Sequence, residues 1–457
     1  MLPLGCFGGV IMAALTFDSA LYAGLLWDPE TSQLLGDGAE ISAMIRVEKA
    51  LAVVQARLGI IPADEAEQLI AALDQAFIDA GALGEGMKRD GVAAPALVVE
   101  LRAQIAQPFA NWLHWGATSQ DIADLALILR LKQILALFRG RLDGLIRVLA
   151  TLARDHRRSV ALARTRSQQA APTLFGLKVA NWLQPLLRHR ERIEALLPRL
   201  GVVQFGGATG TLAALGAQGI AVMDALAEEL GLEPATPWHA ARDRIEECAS
   251  LMAMIATSLG RMGADFVLLA QSEIGEIGFA GAGGSSTLPQ KQNPVVAETL
   301  VALGRFAATQ ASAIHQAAIH VNERDGAAWT LEWLAFPPLV AAAGSALLRA
   351  GEALEALRVD PVRMASNLAA TRGLVLAEAA SFALSAYLPR GDAQRLVKEA
   401  VAAVLRGERH LFDEIAARTE APVDWTALRT PLAYLSSAEV LVERIVAEAE
   451  VALGPLT

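Results

Sequence analysis

The chain has 457 residues, 54% of them hydrophobic and 19% charged, so a large core is available and disorder is argued against. Its 39 basic and 49 acidic residues leave a net charge of −10 without a basic stripe, which makes nucleic acid and anionic membranes poor partners. Cys6 and Cys248 are the only cysteines, with no Cys-x-x-Cys; this argues against a disulfide framework or structural zinc and for a reducing, cytoplasmic compartment.

Residues 1–17, "MLPLGCFGGVIMAALTF", are uncharged but lack a basic leading region and fall short of a membrane span, so no signal or anchor is expected. Met12 is a candidate start, which would make residues 1–11 an extension. The Asp-Gly pairs at 37–38, 90–91, 143–144 and 325–326 have no flanking alternating runs, and Asn-Gly is absent, so an all-β fold is not expected. Helical period dominates further on. From Ile128 the apolar positions step by three and four through Leu131, Leu135, Phe138, Leu142, Leu145 and Leu149, with Gly140 and Gly144 weakening the pattern. A second stripe runs Ile245, Cys248, Met252, Ile255, Leu259, Met262, Phe266, Leu269. A third helix is predicted to open after Asn293-Pro294, carrying Val296, Leu300 and Leu303 on one face. These stripes predict an all-α fold: an N-terminal helical domain over 1–110, a central long-helix bundle over 111–355 and a C-terminal helical domain over 356–457.

Three polar islands break the apolar pattern. "HWGATSQD" (114–121) offers Ser119 and Asp121 as caps for the helix that follows, which leaves His114, Thr118 and Gln120 unexplained. "ARTRSQQAAPTLFG" (163–176) supplies Thr165, Gln168 and Gln169 for hydrogen bonds and Arg164 and Arg166 for charge; a solvated loop before a helix accounts for it equally well. "GGSSTLPQKQNPV" (283–295) is no Walker A loop, since Gln290 and Gln292 flank Lys291, and no Ser-x-x-Lys nucleophile, since Lys291 follows Ser285 by six residues. What remains is a loop presenting serine hydroxyls before a cation at a helix start, suited to a growing carboxylate charge or a serine oxyanion. A plain linker would need neither the lysine nor the asparagine.

"GGSSTLPQKQNP" resembles the GSSxMPxKxNP signature of the fumarase/aspartase superfamily, with Leu288 in place of the usual Met. "HWGATSQD" and "RTRSQQAAPTLFG" resemble its first and second shared regions, in the right order and separation. The resemblance covers nearly the whole chain. It implies a cofactor-independent enzyme with a small polycarboxylate substrate, built as a homotetramer whose sites each draw the three regions from three subunits. It further implies that Ser285 transfers the proton and that Lys291 and Asn293, with loop N–H groups, hold the carboxylate that becomes an aci-anion. Thr118, Ser119 and Gln168, with His114, would orient the other carboxylates, and His114 is an alternative proton carrier. Arg324 in "NERD" is a candidate charge partner, a salt bridge to Glu323 or Asp325 being the competing role.

Within the superfamily, "VVQFGGATGTLAALG" (202–216), "PWHAARDR" (237–244) and "NERDGAAWTLEW" (322–333) resemble the branch that closes conjugated polycarboxylates to lactones. Arg166 stands where the lyases that expel amines carry histidine, and a carboxylate leaving group needs no such acid; its own role stays open. Trp329 and Trp333 stand where nucleotide lyases grip a phosphate. The alternatives are another lyase of the superfamily, such as one for adenylosuccinate or a sulfonated muconate, and a non-catalytic crystallin-like protein, against which the retained Ser285 and Lys291 count.

Overall fold

The computed structural model describes residues 16–281, 283–284, 288 and 290–455. The fold is all-α, with three short two-stranded antiparallel sheets among the described residues. Five long helices, Ser119–Asp155, Phe175–Leu200, Asp243–Leu269, Val295–Ala317 and Gly326–Ala356, carry the apolar stripes. Every member of the 128–149 stripe and of the 245–269 stripe is buried, from Ile128 to Leu149 and from Ile245 to Leu269. Steps of three and four keep those side chains on one face of a 3.6-residue helix, and removing that face from water drives the packing. The Asp243–Leu269 and Gly326–Ala356 helices are long and apolar enough to cross a membrane, yet 56% and 61% of their most apolar windows are buried inside the protein.

The described residues form two compact units. One comprises 16–141, His189–Gly260 and Ala302–Leu348. In it Gly304 lies against the helix Asp243–Leu269, where a Cβ would come within 2.9 Å of the Ala256 carbonyl oxygen. Arg141 ties down the start of the helix Pro29–Leu35, donating to both carboxylate oxygens of Asp28, to Glu30 and to the Gly344 carbonyl.

The other unit comprises Leu142–Arg188, Arg261–Val301 and 349–455. Gly263 repeats the close approach here, 2.7 Å from the Ala297 carbonyl for a would-be Cβ. Contacts 263 to 297 and 256 to 304 run in opposite directions, so these two helices are antiparallel, and the third polar island joins their ends. A separate apolar cluster, including Leu384, Val397, Val404, Phe412 and Ile415, forms the core of the C-terminal helices.

Two expectations are corrected. The 163–176 segment is not a solvated loop: Val160–Thr165 and Gln168–Leu174 pair as an antiparallel hairpin. Its turn is Arg166–Ser167, both with positive φ (50° and 65°), as a tight two-residue hairpin turn demands. Ser119 is the first helical residue of its helix rather than a cap outside it, and Asp121 acts from within the first turn.

Candidate active site

The first unit gathers several of the segments singled out above around one buried carboxylate. Asp121 is fully buried, and its two oxygens accept hydrogen bonds from the backbone N–H groups of Thr118 (3.0 Å), Gly206 (2.9 Å) and Gly207 (2.9 Å). His239 Nε2 adds a fourth contact at 2.8 Å. Reaching back to Thr118 is what an acid in the first helical turn does for a helix start. Here the same acid also fixes the 202–216 segment and the histidine of "PWHAARDR". Gly206 is needed at this point, because a Cβ there would meet the His239 ring at 2.8 Å and Pro237 at 2.9 Å.

Gln120 carries the order outward. Its amide nitrogen donates to the His239 carbonyl (2.9 Å), and its amide oxygen accepts from Arg324 Nε at 2.8 Å. Arg324 therefore makes no ion pair with Glu323 or Asp325; its Nη2 donates to the Ala208 carbonyl at 3.3 Å. Asp325 instead caps the next helix, accepting from the N–H groups of Ala327 and Ala328, and these bonds hold its carboxyl below its usual range. The half-buried guanidinium of Arg324 is thus brought together with Thr118, Ser119 and Gln120.

Beneath this layer Arg242 is buried between two carboxylates. It donates to Asp124 at 2.8 and 3.0 Å and to Glu332 at 2.6 and 3.0 Å, so the starts of three long helices are tied to one guanidinium. Burial carries the Glu332 carboxyl above its usual range in spite of Arg242, with Asp124 adding to the rise. Trp329 and Trp333 lie with ring centroids 4.6 Å apart and planes tilted by 52°, and they line a cavity of about 370 Å³ with Met44, Arg130 and Phe336.

His114 sits in the left-handed region (φ 65°), and its Nδ1 lies 2.6 Å from Glu48 Oε1. Burial draws the imidazole down, but the hydrogen bond and charge of Glu48, helped by Asp121, carry it above its ordinary value.

In the second unit, the hairpin presents Thr165, Arg166, Ser167, Gln168 and Gln169 exposed in one run. Arg164 is not available for a ligand in the way its sequence position suggests. It forms a two-pronged pair with buried Glu276 (2.9 and 3.2 Å), which Asn367 also contacts at 3.0 Å. The charge left at the tip is Arg166. Ser285 lies outside the described residues. Its loop is closed by the pairing of Gly283 with Asn293 and of Gly284 with Gln292, and the Lys291 N–H donates to the Leu288 carbonyl at 3.0 Å. Lys291 is exposed and forms no ion pair with any described residue. No hydrogen bond or ion pair among the described residues joins Arg166 or Gln168 to Lys291 or Asn293. No group of three His, Cys, Asp or Glu among them is placed to hold a metal.

A model of a lyase family matches residues 26–308, more than half the chain. The chain belongs to this lyase family of the fumarase/aspartase superfamily. It is 41% identical over 427 residues to the 3-carboxy-cis,cis-muconate cycloisomerase of Pseudomonas aeruginosa, covering 91% of this chain and 93% of that protein. The protein of the same name from Bradyrhizobium diazoefficiens is 37% identical over 439 residues, 93% of this chain and 97% of the relative. The crystal structure of 3-carboxy-cis,cis-muconate lactonizing enzyme from Pseudomonas putida superposes with a TM-score of 0.89 at 36% identity, over 95% of this chain and 99% of that one.

Membership gives the backbone oddities a context. Of the described non-glycine residues with positive φ, all but Arg372 fall in the segments that carry the resemblance: His114, Arg166, Ser167, Leu212 and Asn322. Strained backbone concentrates where function fixes geometry. Asp121, His239, Glu48 and Gln55, whose amide nitrogen donates to the Trp115 carbonyl at 2.7 Å, were not singled out from sequence as site residues. The last two had a readable signal. Ile41, Met44, Glu48, Leu51 and Gln55 follow the same three-and-four step, and all five are buried. An acid and an amide on a core stripe ask for buried partners.

Proposed function

We propose that this chain closes 3-carboxy-cis,cis-muconate to 4-carboxymuconolactone, as a cofactor-independent intramolecular lyase of protocatechuate degradation. The observation that carries the reading is near-full-length similarity, at 37% identity and above, to two proteins named for that cycloisomerisation. One carboxylate oxygen of the substrate adds to a double bond conjugated with a second carboxylate. The C–O bond forms, the π electrons move onto the second carboxylate as an aci-anion, and its α-carbon then takes a proton. Atoms balance without an oxidant or a second substrate.

Ser285, by its place in the superfamily signature, gives that proton and recovers one from solvent. Lys291 and Asn293, beside the loop N–H groups, hold the carboxylate on which charge grows; a fixed cation at such a point is worth most in the transition state. Thr118, Ser119, His114 and Arg324 take the remaining carboxylates from the first region, and Gln168 with Arg166 from the hairpin. The side chains of the exposed run 165–169, which make no hydrogen bond or ion pair to another described residue, support a site completed between subunits of a homotetramer, and we place the protein in the cytoplasm. Trp329 and Trp333 offer one N–H donor each, and the cation in their cavity, Arg130, is already paired with Glu40 at 3.3 Å, which supports a phosphate-free substrate.

The test is ultraviolet absorbance. Ring closure destroys the conjugated diene, so purified protein should bleach 3-carboxy-cis,cis-muconate while the Ser285→Ala variant should not. A stable diene signal with active-fold protein would remove the assignment.

A further inference from the structure

We infer that Glu48 is a positioning residue of the reaction, clamping the His114 ring through Nδ1 so that Nε2–H is left to donate to a substrate carboxylate. The inference rests on the function proposed above for the first region. Glu48 and Gln55 project from two successive heptad positions of the helix Asp37–Arg57 onto the "HWGATSQD" turn. Glu48 Oε1 contacts His114 Nδ1 at 2.6 Å, and Gln55 Nε2 donates to the Trp115 carbonyl at 2.7 Å. Two consecutive residues of the turn are thereby gripped from one helix.

The grip is unlike a structural one. Glu48 is 1% exposed, and its Oε2 is buried with no hydrogen-bond partner among the described residues, as is Gln55 Oε1. A buried carboxylate serving stability alone would have both oxygens satisfied, since each orphan is costly. Leaving Oε2 bare keeps the charge of Glu48 concentrated on its one partner. His114 also holds a left-handed backbone, a conformation that persists only when its surroundings impose it. No described residue partners its Nε2, and the ring keeps some solvent access.

The charged groups around the ring are Glu48 on its own helix, Asp121 at the start of the helix Ser119–Asp155 and Arg102 on the helix Ala94–Gln104. The two acids outweigh Arg102 and burial, so the imidazolium persists above the ordinary imidazole value. The clamp thus favours the charged, doubly donating form of His114 in the first region, adding a physical basis to the carboxylate-orienting role that the resemblance implies for it.

The experiment compares the pH profile of KM for 3-carboxy-cis,cis-muconate in wild type, Glu48→Gln and His114→Gln, with thermal melting as a folding control. In wild type KM should rise only as pH passes above the ordinary imidazole range. In E48Q that rise should begin at lower pH, raising KM several-fold near neutrality and by at most roughly tenfold at alkaline pH for one lost charge-assisted hydrogen bond, while kcat falls by less. Lowering the pH to about 5.5 should bring E48Q back to within about twofold of wild type, because the imidazole is then protonated without help. H114Q should lose the rise altogether, and it carries the test should E48Q not fold. An unchanged profile in either variant, or an E48Q defect that acid does not rescue, overturns the inference. Calorimetric binding of benzene-1,2,4-tricarboxylate gives the same comparison without turnover. Its pH shift therefore tests Glu48 even if muconate is not the substrate.

Discussion

Replacing Arg242 with Met should separate the architecture of the first region from its chemistry. The guanidinium makes four hydrogen bonds to Asp124 and Glu332, and all three side chains are at most 2% exposed. Met fills similar volume but leaves two carboxylates facing each other in the core. Breaking a buried ion pair from one side typically costs about 3–5 kcal/mol. For a unit of this size about 2–4 °C accompanies each kcal/mol, so the melting temperature should fall by roughly 6–20 °C. The loss should depend on pH in a set direction. Glu332 already titrates above the usual carboxylate range, so protonation favours the folded state. The stability contributed by that proton is present at acid pH and disappears as pH rises through the raised value. The defect of R242M should therefore be largest near pH 8 and smaller near pH 5, and adding Asp124→Asn with Glu332→Gln should recover roughly half of it or more, since the buried charges are gone. Differential scanning fluorimetry at both pH values reads the effect. A shift below about 2–4 °C, the equivalent of about 1 kcal/mol, or a defect equal at the two pH values, would refute the reasoning.

Ser285→Ala should fold as wild type and lose about 10²–10⁴ in turnover, as expected for a missing proton donor; a loss of only a few-fold would move the proton to another group such as His114. Ser285→Ala and Gln168→Ala proteins, each nearly inactive, should regain part of the activity when mixed and reassembled, and no recovery despite proven subunit exchange would contradict shared sites. Gly206→Ala should push the 202–216 segment off Asp121, since its new methyl would sit 2.8 Å from the His239 ring, costing about 1–3 kcal/mol in melting experiments and lowering kcat/KM as well.

Much of the bundle is legible in the chain because a buried helix face repeats locally: the stripes of 128–149 and 245–269 need no knowledge of their partners. The helix opening at Val295 after Asn293-Pro294 is legible for the same reason. The hairpin at 160–174 is hidden because its turn is made by Arg166 and Ser167 rather than by Asn-Gly, and the cost of two positive φ angles is met by context. The polar partnerships are hidden by distance along the chain. Asp121 meets His239 from 118 residues away and Glu48 meets His114 from 66, so each looks like a cap or a stray acid until the fold closes. Arg324 shows the opposite error, in which two adjacent acids suggest an ion pair that geometry assigns to Gln120 instead.

The central claim is the identity of the substrate, and side-by-side turnover measures it most directly. Purified protein should be given 3-carboxy-cis,cis-muconate, its 3-sulfonated counterpart and adenylosuccinate under one set of conditions. Loss of diene absorbance with the carboxylated muconate should give the highest kcat/KM, and adenylosuccinate should not be cleaved, because a phosphate beside Trp329 and Trp333 would find two indole N–H groups and an Arg130 already paired with Glu40, and burying it so poorly partnered would cost several kcal/mol. Adenylosuccinate cleavage at a comparable rate, or preference for the sulfonate, would contradict the assignment while leaving the lyase family membership in place.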